Sequence, residues 1–220
     1  MALSRLETDD NSMLSLSIAA DVPDEAVIAQ AADVLRRGGV VAYPTDTLYG
    51  LAVDPRRDSA VARLYAAKGR AASTAVPLIA SSLEQAQEAA IFGERELRLA
   101  STFWPGPLTI VMPPRSGIAA PVLGGGTTIA LRVPSHAVAR ALAASFGFCI
   151  TATSANRSGH PPAVTGADIA AALETALDLI LDAGALPGGL PSTIVEIAAT
   201  GPRLVRAGAV AWERVLESLK

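Results

Sequence analysis

Short apolar runs alternate with amphipathic stretches along the chain. Residues 40–43 are an uninterrupted apolar run, which is typical of a buried strand. Before them, Asp24 precedes a stretch in which Val27, Ala31 and Leu35 share one helical face, so the pattern predicts a helix capped by Asp24. The same two patterns predict strands at 13–18, 76–80, 108–112, 128–133, 148–151, 178–182, 192–197 and 203–206, and helices from 58 or 59 to 69 and at 83–91, 94–103, 135–146, 166–175 and 210–219.

The interleaving of these helices and strands predicts a layered α/β fold. We expect residues 13–220 to form one domain, because no linker or break in composition divides them, and residues 1–12 to be a flexible polar leader. We also expect Ser135 to cap the alanine-rich helix that runs to Phe146.

Composition narrows the class of protein. Half of the 220 residues are hydrophobic and only 4% are aromatic, so the core should consist mainly of Ala, Val, Leu and Ile. The net charge of -3 argues against a protein whose main task is to hold nucleic acid. A single cysteine, Cys149, excludes an intramolecular disulfide, and with only His136 and His160 beside it a zinc site is not expected. No apolar run approaches the roughly 18 residues of a membrane helix, so we expect a cytoplasmic protein without a membrane contact.

The first candidate segment is Tyr43-Pro44-Thr45-Asp46-Thr47-Leu48-Tyr49-Gly50-Leu51, which directly follows the buried strand at 40–43. Hydroxyls and a carboxylate at the end of such a strand lie where α/β proteins bind ligands. A Pro-Thr-Asp turn held by local side-chain bonds would show the same residues. The segment taken alone favours the turn.

The second candidate is Lys68-Gly69-Arg70, at the end of a predicted helix. Two cations at this spacing can reach forward and hold a polyphosphate. Cations in a last helical turn also complement the helix dipole without any ligand, and this simpler interpretation is favoured for the motif taken alone.

A third polar segment, Thr151-Ala152-Thr153-Ser154-Ala155-Asn156-Arg157-Ser158-Gly159, follows the apolar run at 148–150. Its small residues leave the backbone accessible, so it can bind ribose, phosphate or a carboxylate. If the strand continues, Ser154 and Asn156 point the same way. A solvated loop is an equally good interpretation.

Two arginines, Arg132 and Arg206, each stand near the end of a predicted strand, and Ser192 begins another. Arginine is suited to a bidentate grip on a carboxylate or phosphate. An ion pair at a sheet edge is at least as good an interpretation of either residue alone. The sequence contains no P-loop, no GxGxxG motif and no Ser/His/Asp or Cys/His set, so neither the common nucleotide folds nor an enzyme nucleophile is indicated.

Taken together and in order, these segments resemble the YrdC-like family of threonylcarbamoyl-AMP synthases in its short form, without the additional C-terminal domain. The resemblance covers about 26–207, and six segments in register make it specific although each alone is weak. They are 43–51, Lys68-Gly69-Arg70, Trp104-Pro105-Gly106-Pro107-Leu108-Thr109, Leu131-Arg132-Val133-Pro134, Ser154-Ala155-Asn156-Arg157-Ser158-Gly159 and Pro191-Ser192-Thr193-Ile194-Val195.

The resemblance implies a twisted mixed sheet with flanking helices and a large concave cavity. It implies a catalytic, nucleotide-binding tetrad of Lys68, Arg70, Ser154 and Asn156. Further nucleotide contacts are implied at Thr74, Thr128, Pro162 and Arg206, and threonine contacts at Thr47, Arg132, Ala152 and Ser192. No residue is implied as a ligand of a protein-held metal.

This chain departs from the family pattern at three positions. Ala71 stands where the family usually has Pro, and Thr74 where it often has Lys or Asn. Ile79 stands where some members have His, if the residues are simply counted along. The departure at Thr74 removes one phosphate contact and bears on ATP affinity more than on the type of reaction.

The resemblance implies that the chain joins L-threonine, bicarbonate and ATP, with Mg²⁺, into threonylcarbamoyl-AMP and pyrophosphate. A tRNA-modifying transferase complex would use the product, and contact with tRNA itself would be weak or indirect. Two alternatives stay open: a carbamoyl-adenylate former that uses carbamoyl phosphate, and a non-catalytic RNA-binding module. The single cysteine argues against the first, and the negative net charge against the second.

Overall fold

The computed structural model describes residues 13–71 and 73–220, so the expected leader at 1–12 lies outside the described residues. Helices and strands alternate as the apolar pattern predicts. The helices are α1 Glu25–Arg36, α2 Asp58–Lys68, α3 Leu83–Ala89, α4 Glu94–Phe103, α5 Ala137–Phe146, α6 Gly166–Leu173 and α7 Trp212–Ser218. The strands are β1 Leu14–Ser17, β2 Val41–Pro44, β3 Tyr49–Ala52, β4 Leu78–Ile79, β5 Leu108–Met112, β6 Ile129–Arg132, β7 Ile150–Thr151, β8 Thr153–Ser154, β9 Leu179–Asp182, β10 Thr193–Ala198 and β11 Gly201–Arg206. None of the helices in the described ranges is long and apolar enough to cross a membrane.

The mixed α/β fold is confirmed, and the strands within 13–71 and 73–220 divide into two hydrogen-bonded sheets. One sheet has the order β1-β9-β2-β3-β8, and the other the order β11-β10-β5-β6-β4-β7. Each contains both parallel and antiparallel pairs. Strands β7 and β8 are separated only by Ala152, yet they belong to different sheets. The chain therefore passes from one sheet to the other within the polar segment at 151–159.

Helix α1 shows how local sequence sets an element. The Asp24 carboxylate accepts hydrogen bonds from the backbone N–H groups of Ala26 (2.8 Å) and Val27 (3.1 Å), which satisfies two donors that a helix start leaves open. The expectation that Ser135 caps α5 is wrong. Its N-cap is His136 rather than Ser135, and neither side chain caps it, because the helix begins one residue later than the serine hydroxyl could serve.

Strand β3 is absent from the predicted elements. Tyr49–Ala52 pairs antiparallel with β2, so 45–48 becomes the loop of a hairpin. The Thr45 hydroxyl lies within hydrogen-bond distance of the Leu48 carbonyl (2.6 Å), as the turn interpretation of this segment expects. The turn interpretation of 43–51 therefore describes residues 45–48 of this hairpin.

The buried side chains of the described residues form two clusters. One lies beneath α1 and α5 and includes Leu35, Leu142 and Leu181; the other includes Leu64, Ile110 and Leu131. Both consist mainly of Ala, Val, Leu and Ile, which confirms the composition expected for the core.

Candidate functional site

An open cleft lies where the two sheets meet. Strands β2, β3 and β8 of one sheet line it together with β4, β5 and β6 of the other. Six of the residues predicted for the site line this cleft: Thr47, Arg132, Ala152, Ser154, Ser192 and Arg206.

Thr47 reaches the cleft from the loop between β2 and β3. The loop is fixed by Thr45, whose hydroxyl bonds the Leu48 carbonyl. It is also fixed by the backbone N–H of Gly188, which donates to the Thr47 carbonyl at 3.0 Å. The Thr47 side chain thus stands on a loop that is held from two sides.

Arg132 ends β6 and presents its guanidinium to the cleft. Its Nη2 donates to Oδ2 of Asp46 at 2.9 Å, so the predicted alternative of an ion pair is present. The pair lies at the cleft, where the Arg132 side chain is only 15% exposed. Burial lowers the pKa of Arg132, although Asp46 opposes that change, and guanidinium remains charged at neutral pH. Asp46 accepts a hydrogen bond from one nitrogen of the Arg132 guanidinium, so the other N–H groups can donate to an anion in the cleft.

Arg206 ends β11 and holds Ser192. Its Nε (3.2 Å) and Nη2 (2.7 Å) both donate to the Ser192 carbonyl, and Nη2 also donates to the Ser192 hydroxyl at 3.1 Å. Burial lowers the pKa of Arg206, and the charge of Arg132 lowers it further. Two guanidinium groups therefore act on one cleft, which gives it a positive potential that favours an anionic ligand.

Lys68 lies beside the cleft rather than in its lining. Its Nζ donates to the Ser154 carbonyl (2.6 Å), the Asn156 carbonyl (3.0 Å) and Asn156 Oδ1 (3.2 Å). Only 3% of the residue is exposed, and no carboxylate of the described residues forms an ion pair with it. Burial, with a smaller contribution from the charge of Arg70, lowers the pKa of Lys68 to about 8. All three N–H groups of the ammonium are used by the segment that carries Ser154.

Arg70 lies just beyond α2 with its guanidinium carbon 5.3 Å from the centre of the Tyr65 ring. Its Nε and Nη2 are buried, and neither has a hydrogen-bond partner among the described residues. Buried guanidinium donors are ordinarily satisfied, so an arginine of this kind fits an anion supplied by a ligand.

The other predicted residues do not line the cleft. Asn156 and Pro162 line a separate open cavity, although Asn156 Oδ1 also bonds the hydroxyl of Ser154 at 2.5 Å. Thr74 is exposed, and its carbonyl accepts a bond from the Tyr65 hydroxyl at 2.6 Å. Thr128 directly precedes β6 and is half-buried.

The structure adds Thr109 and Tyr49 to the lining, and neither was assigned a role from the sequence. Thr109 is buried, with its hydroxyl 2.8 Å from that of Ser192. The Tyr49 hydroxyl donates to the Gly184 carbonyl at 2.7 Å, and burial is the main reason that its pKa rises to about 12. A hydroxyl inside an otherwise apolar strand was the available signal for Thr109.

The chain is similar to known proteins of one family. The model of the Sua5/YciO/YrdC family, described as telomere recombination, matches residues 33–208. The threonylcarbamoyl-AMP synthase of Chromohalobacter salexigens is 44% identical over 174 residues, which are 77% of this chain and 92% of that protein. The enzyme of the same name from Bacillus subtilis is 37% identical over 204 residues, which are 89% of this chain but 58% of that protein.

Solved structures agree with these sequence matches. Pyrococcus abyssi Sua5 complexed with L-threonine has a TM-score of 0.87 at 32% identity, over 94% of this chain and 61% of that one. Escherichia coli YciO has a TM-score of 0.82 at 26% identity, over 90% of this chain and 97% of that one. The chain thus spans nearly all of some relatives and about three fifths of others.

Proposed function

Because this chain belongs to the Sua5/YciO/YrdC family, we propose that it is a threonylcarbamoyl-AMP synthase, a nucleotidyltransferase that condenses L-threonine, bicarbonate and ATP. The observation that carries the proposal is the meeting of Arg132, Ser192 and Ser154 on one cleft between the sheets. Relatives that carry this enzyme name, and a relative's complex with L-threonine, support it.

The threonine carboxylate is assigned to Arg132, with the hydroxyls of Thr47 and Ser192 as its neighbours. Arg132 keeps donors free of Asp46 and faces the cleft from a short strand, so it is a rigid receptor for a carboxylate. The backbone at Ala152 borders the same space. These roles are proposals that rest on the placement of the side chains.

Ser154 and Arg206, which both line the cleft, are assigned to the nucleotide. Arg70 would supply its unpartnered donors to the phosphates, and Lys68 would hold the Ser154–Asn156 segment in shape. Arg70 also lies outside the lining of the cleft, but it has unpartnered buried donors. Contacts at Thr74, Thr128, Asn156 and Pro162 have no such observation behind them and stay predictions.

The reaction needs no enzyme nucleophile. Bicarbonate loses hydroxide to give carbon dioxide. The neutral amine of threonine attacks the carbon of carbon dioxide, so a C–N bond forms while one C–O π bond opens. The proton that the amine loses combines with the hydroxide as water, and the product is a carbamate. A carbamate oxygen then attacks the α-phosphorus of ATP, the bond to the β-phosphate oxygen breaks, and pyrophosphate leaves. The protein's task is to hold two anions in line and to stabilise the charge that develops, which suits a cleft bordered by arginines.

Magnesium fits this site only as a companion of ATP. Within 13–71 and 73–220, no three His, Cys, Asp or Glu side chains lie together as a metal site. Mg²⁺ commonly binds through substrate phosphates and water with few protein ligands, so this donor set is compatible with it. Bound in that way, the ion would neutralise charge on the triphosphate.

A tRNA-modifying transferase is the proposed user of the product, since the mixed anhydride is an activated acyl donor. Direct contact with tRNA is proposed to be weak. The cytoplasm, where ATP and tRNA are both present, is the location that this proposal requires.

The test is pyrophosphate release from ATP and bicarbonate, measured with L-threonine, with D-threonine, with L-serine and without an amino acid. Release that depends on L-threonine, together with threonylcarbamoyl-AMP detected by mass spectrometry, is the expected result. Carbamoyl phosphate in place of threonine and bicarbonate is the control for the alternative enzyme. Pyrophosphate release from ATP with carbamoyl phosphate but not with threonine and bicarbonate would overturn the proposal and support the carbamoyl-adenylate former.

A further inference from the structure

Thr109 is a polar residue in an apolar strand. Its neighbours on β5, Leu108 and Ile110, are fully buried, and Thr109 itself is only 4% exposed at the wall of the cleft. Its hydroxyl lies 2.8 Å from the Ser192 hydroxyl, and that is the one hydrogen bond found for it among the described residues. A valine would have the same shape, so packing alone does not require a hydroxyl here.

The hydrogen-bond capacity of Ser192 limits what this contact can do. A hydroxyl has one hydrogen to donate and two lone pairs that accept. Arg206 Nη2 donates to the Ser192 oxygen at 3.1 Å, and a guanidinium never accepts, so one lone pair is already used. The contact with Thr109 then takes either the hydrogen of Ser192 or its second lone pair.

These two arrangements differ in what they leave for a ligand. If Ser192 donates to Thr109, it has no hydrogen left for the cleft. If Thr109 donates to Ser192, both lone pairs of Ser192 are filled and its hydrogen must point to another acceptor. A carboxylate in the cleft is such an acceptor, and a hydrogen bond to a charged group is stronger than one between neutral groups.

We propose that Thr109 is a positioning residue that makes the Ser192 hydroxyl a donor to the carboxylate of the amino-acid substrate. Thr109 acts through Ser192 and does not itself touch the reacting atoms. The proposal rests on the assignment of threonine to this cleft, and it adds a residue that sets how tightly the carboxylate is held.

The test compares Thr109→Val, which removes the hydroxyl and keeps the shape, with Thr109→Ser, which keeps the hydroxyl. In the valine variant the KM for threonine should rise about five- to tenfold, the usual effect of losing one hydrogen bond. The kcat and the KM for ATP should stay within about twofold, because Arg206 keeps its bonds to Ser192. The serine variant should restore the KM for threonine.

A double-mutant cycle with Ser192→Ala separates positioning from general damage. If Thr109 acts through Ser192, then Thr109→Val should change the KM little in the Ser192→Ala background. Thermal melting of each variant shows whether it folds, and Thr109→Ala replaces the valine variant if that one does not.

The possible failures have different signatures. Wild-type protein that releases no pyrophosphate with threonine overturns the proposed function. An active wild type whose KM for threonine is the same in Thr109→Val overturns the role of Thr109 alone. An equal loss in Thr109→Ser and Thr109→Val, or effects that simply add to those of Ser192→Ala, also overturns it.

Discussion

Arg132 is the residue on which the threonine assignment depends most directly. Replacement by alanine removes the guanidinium that faces the cleft and leaves Asp46 without its partner. Hydrogen bonds to charged groups contribute about 1.5–3 kcal/mol, so the KM for threonine should rise roughly 10- to 100-fold. Steady-state kinetics with varied threonine provide the measurement.

A matched control for Arg132→Ala is available on β11. Arg203 is exposed and paired with Glu196, and it does not line the cleft, so Arg203→Ala should keep the wild-type KM. An unchanged KM for threonine in Arg132→Ala would show that Arg132 is only half of an ion pair with Asp46.

Lys68 should make activity sensitive to pH near 8. Its three donated bonds need the ammonium form, and burial lowers its pKa to about 8, so the Ser154–Asn156 segment should lose support as the pH rises through that value. The substrates also titrate, so the useful quantity is the ratio of wild-type to Lys68→Met activity at each pH. This ratio should fall above pH 8; a constant ratio would contradict a role for the charge.

The contribution of Lys68 to the free energy of unfolding should rise over the pH range in which activity falls. An unfolded lysine keeps its proton up to a pKa of about 10.4, so between pH 8 and that value the unfolded chain binds more protons than the folded one. The contribution of Lys68 to the free energy of unfolding therefore rises with pH while activity falls. This divergence distinguishes a positioning role from a simple loss of the folded state.

At the scale of elements, Gly208 allows the segment after β11 to approach Ser192. A Cβ at this position would lie 2.3 Å from the Pro191 carbonyl oxygen and 2.5 Å from the Thr193 nitrogen, and neither backbone atom can move freely. Gly208→Ala should therefore displace Ser192, raise the KM for threonine and lower stability by about 1–3 kcal/mol. Kinetics and chemical denaturation test both effects.

The neighbouring exposed residue gives the control for Gly208. Ala207→Ser also adds one heavy atom, but at a side chain that is exposed to solvent. It should therefore change neither the KM for threonine nor the free energy of unfolding. A Gly208→Ala variant with wild-type kinetics and stability would show that the Pro191–Thr193 backbone can move to accommodate the added methyl group without a loss of stability.

The predictability of the elements depended on their length. Helix α1 was predictable because its cap and its buried face are local features of the sequence. Strands β4, β7 and β8 have two residues each and are defined by their partners, so the short β8 had no pattern of its own. The resemblance implied that Lys68, Ser154 and Asn156 form one group, but no local pattern predicts their contact, because it joins positions far apart in the chain.

At the scale of the whole molecule, the α/β class and the family were predictable from six motifs in register, and both are confirmed. The division into two sheets was not, because register between distant strands is a property of the folded chain. The single domain at 13–220 and the individual roles of the site residues stay predictions. The cleft lies at the junction of the two sheets.

Ligands in this cleft should stabilise the whole fold. Its walls come from both sheets, so a bound ligand contacts the two together and binds the native state alone. At a concentration of 100 times the Kd, threonine should add about 2.7 kcal/mol to the free energy of unfolding. That corresponds to a rise in Tm of roughly 5–10 °C for a chain of this size.

Differential scanning calorimetry with and without threonine measures this shift. Arg132→Ala should lose it at the same threonine concentration, whereas Arg203→Ala should keep it, since only the first residue faces the cleft. A full shift in Arg132→Ala would place threonine away from Arg132. No rise in Tm for the wild type at saturating threonine would mean that threonine binds the cleft only after ATP. The same experiment with ATP present would then show a rise in Tm that requires both ligands.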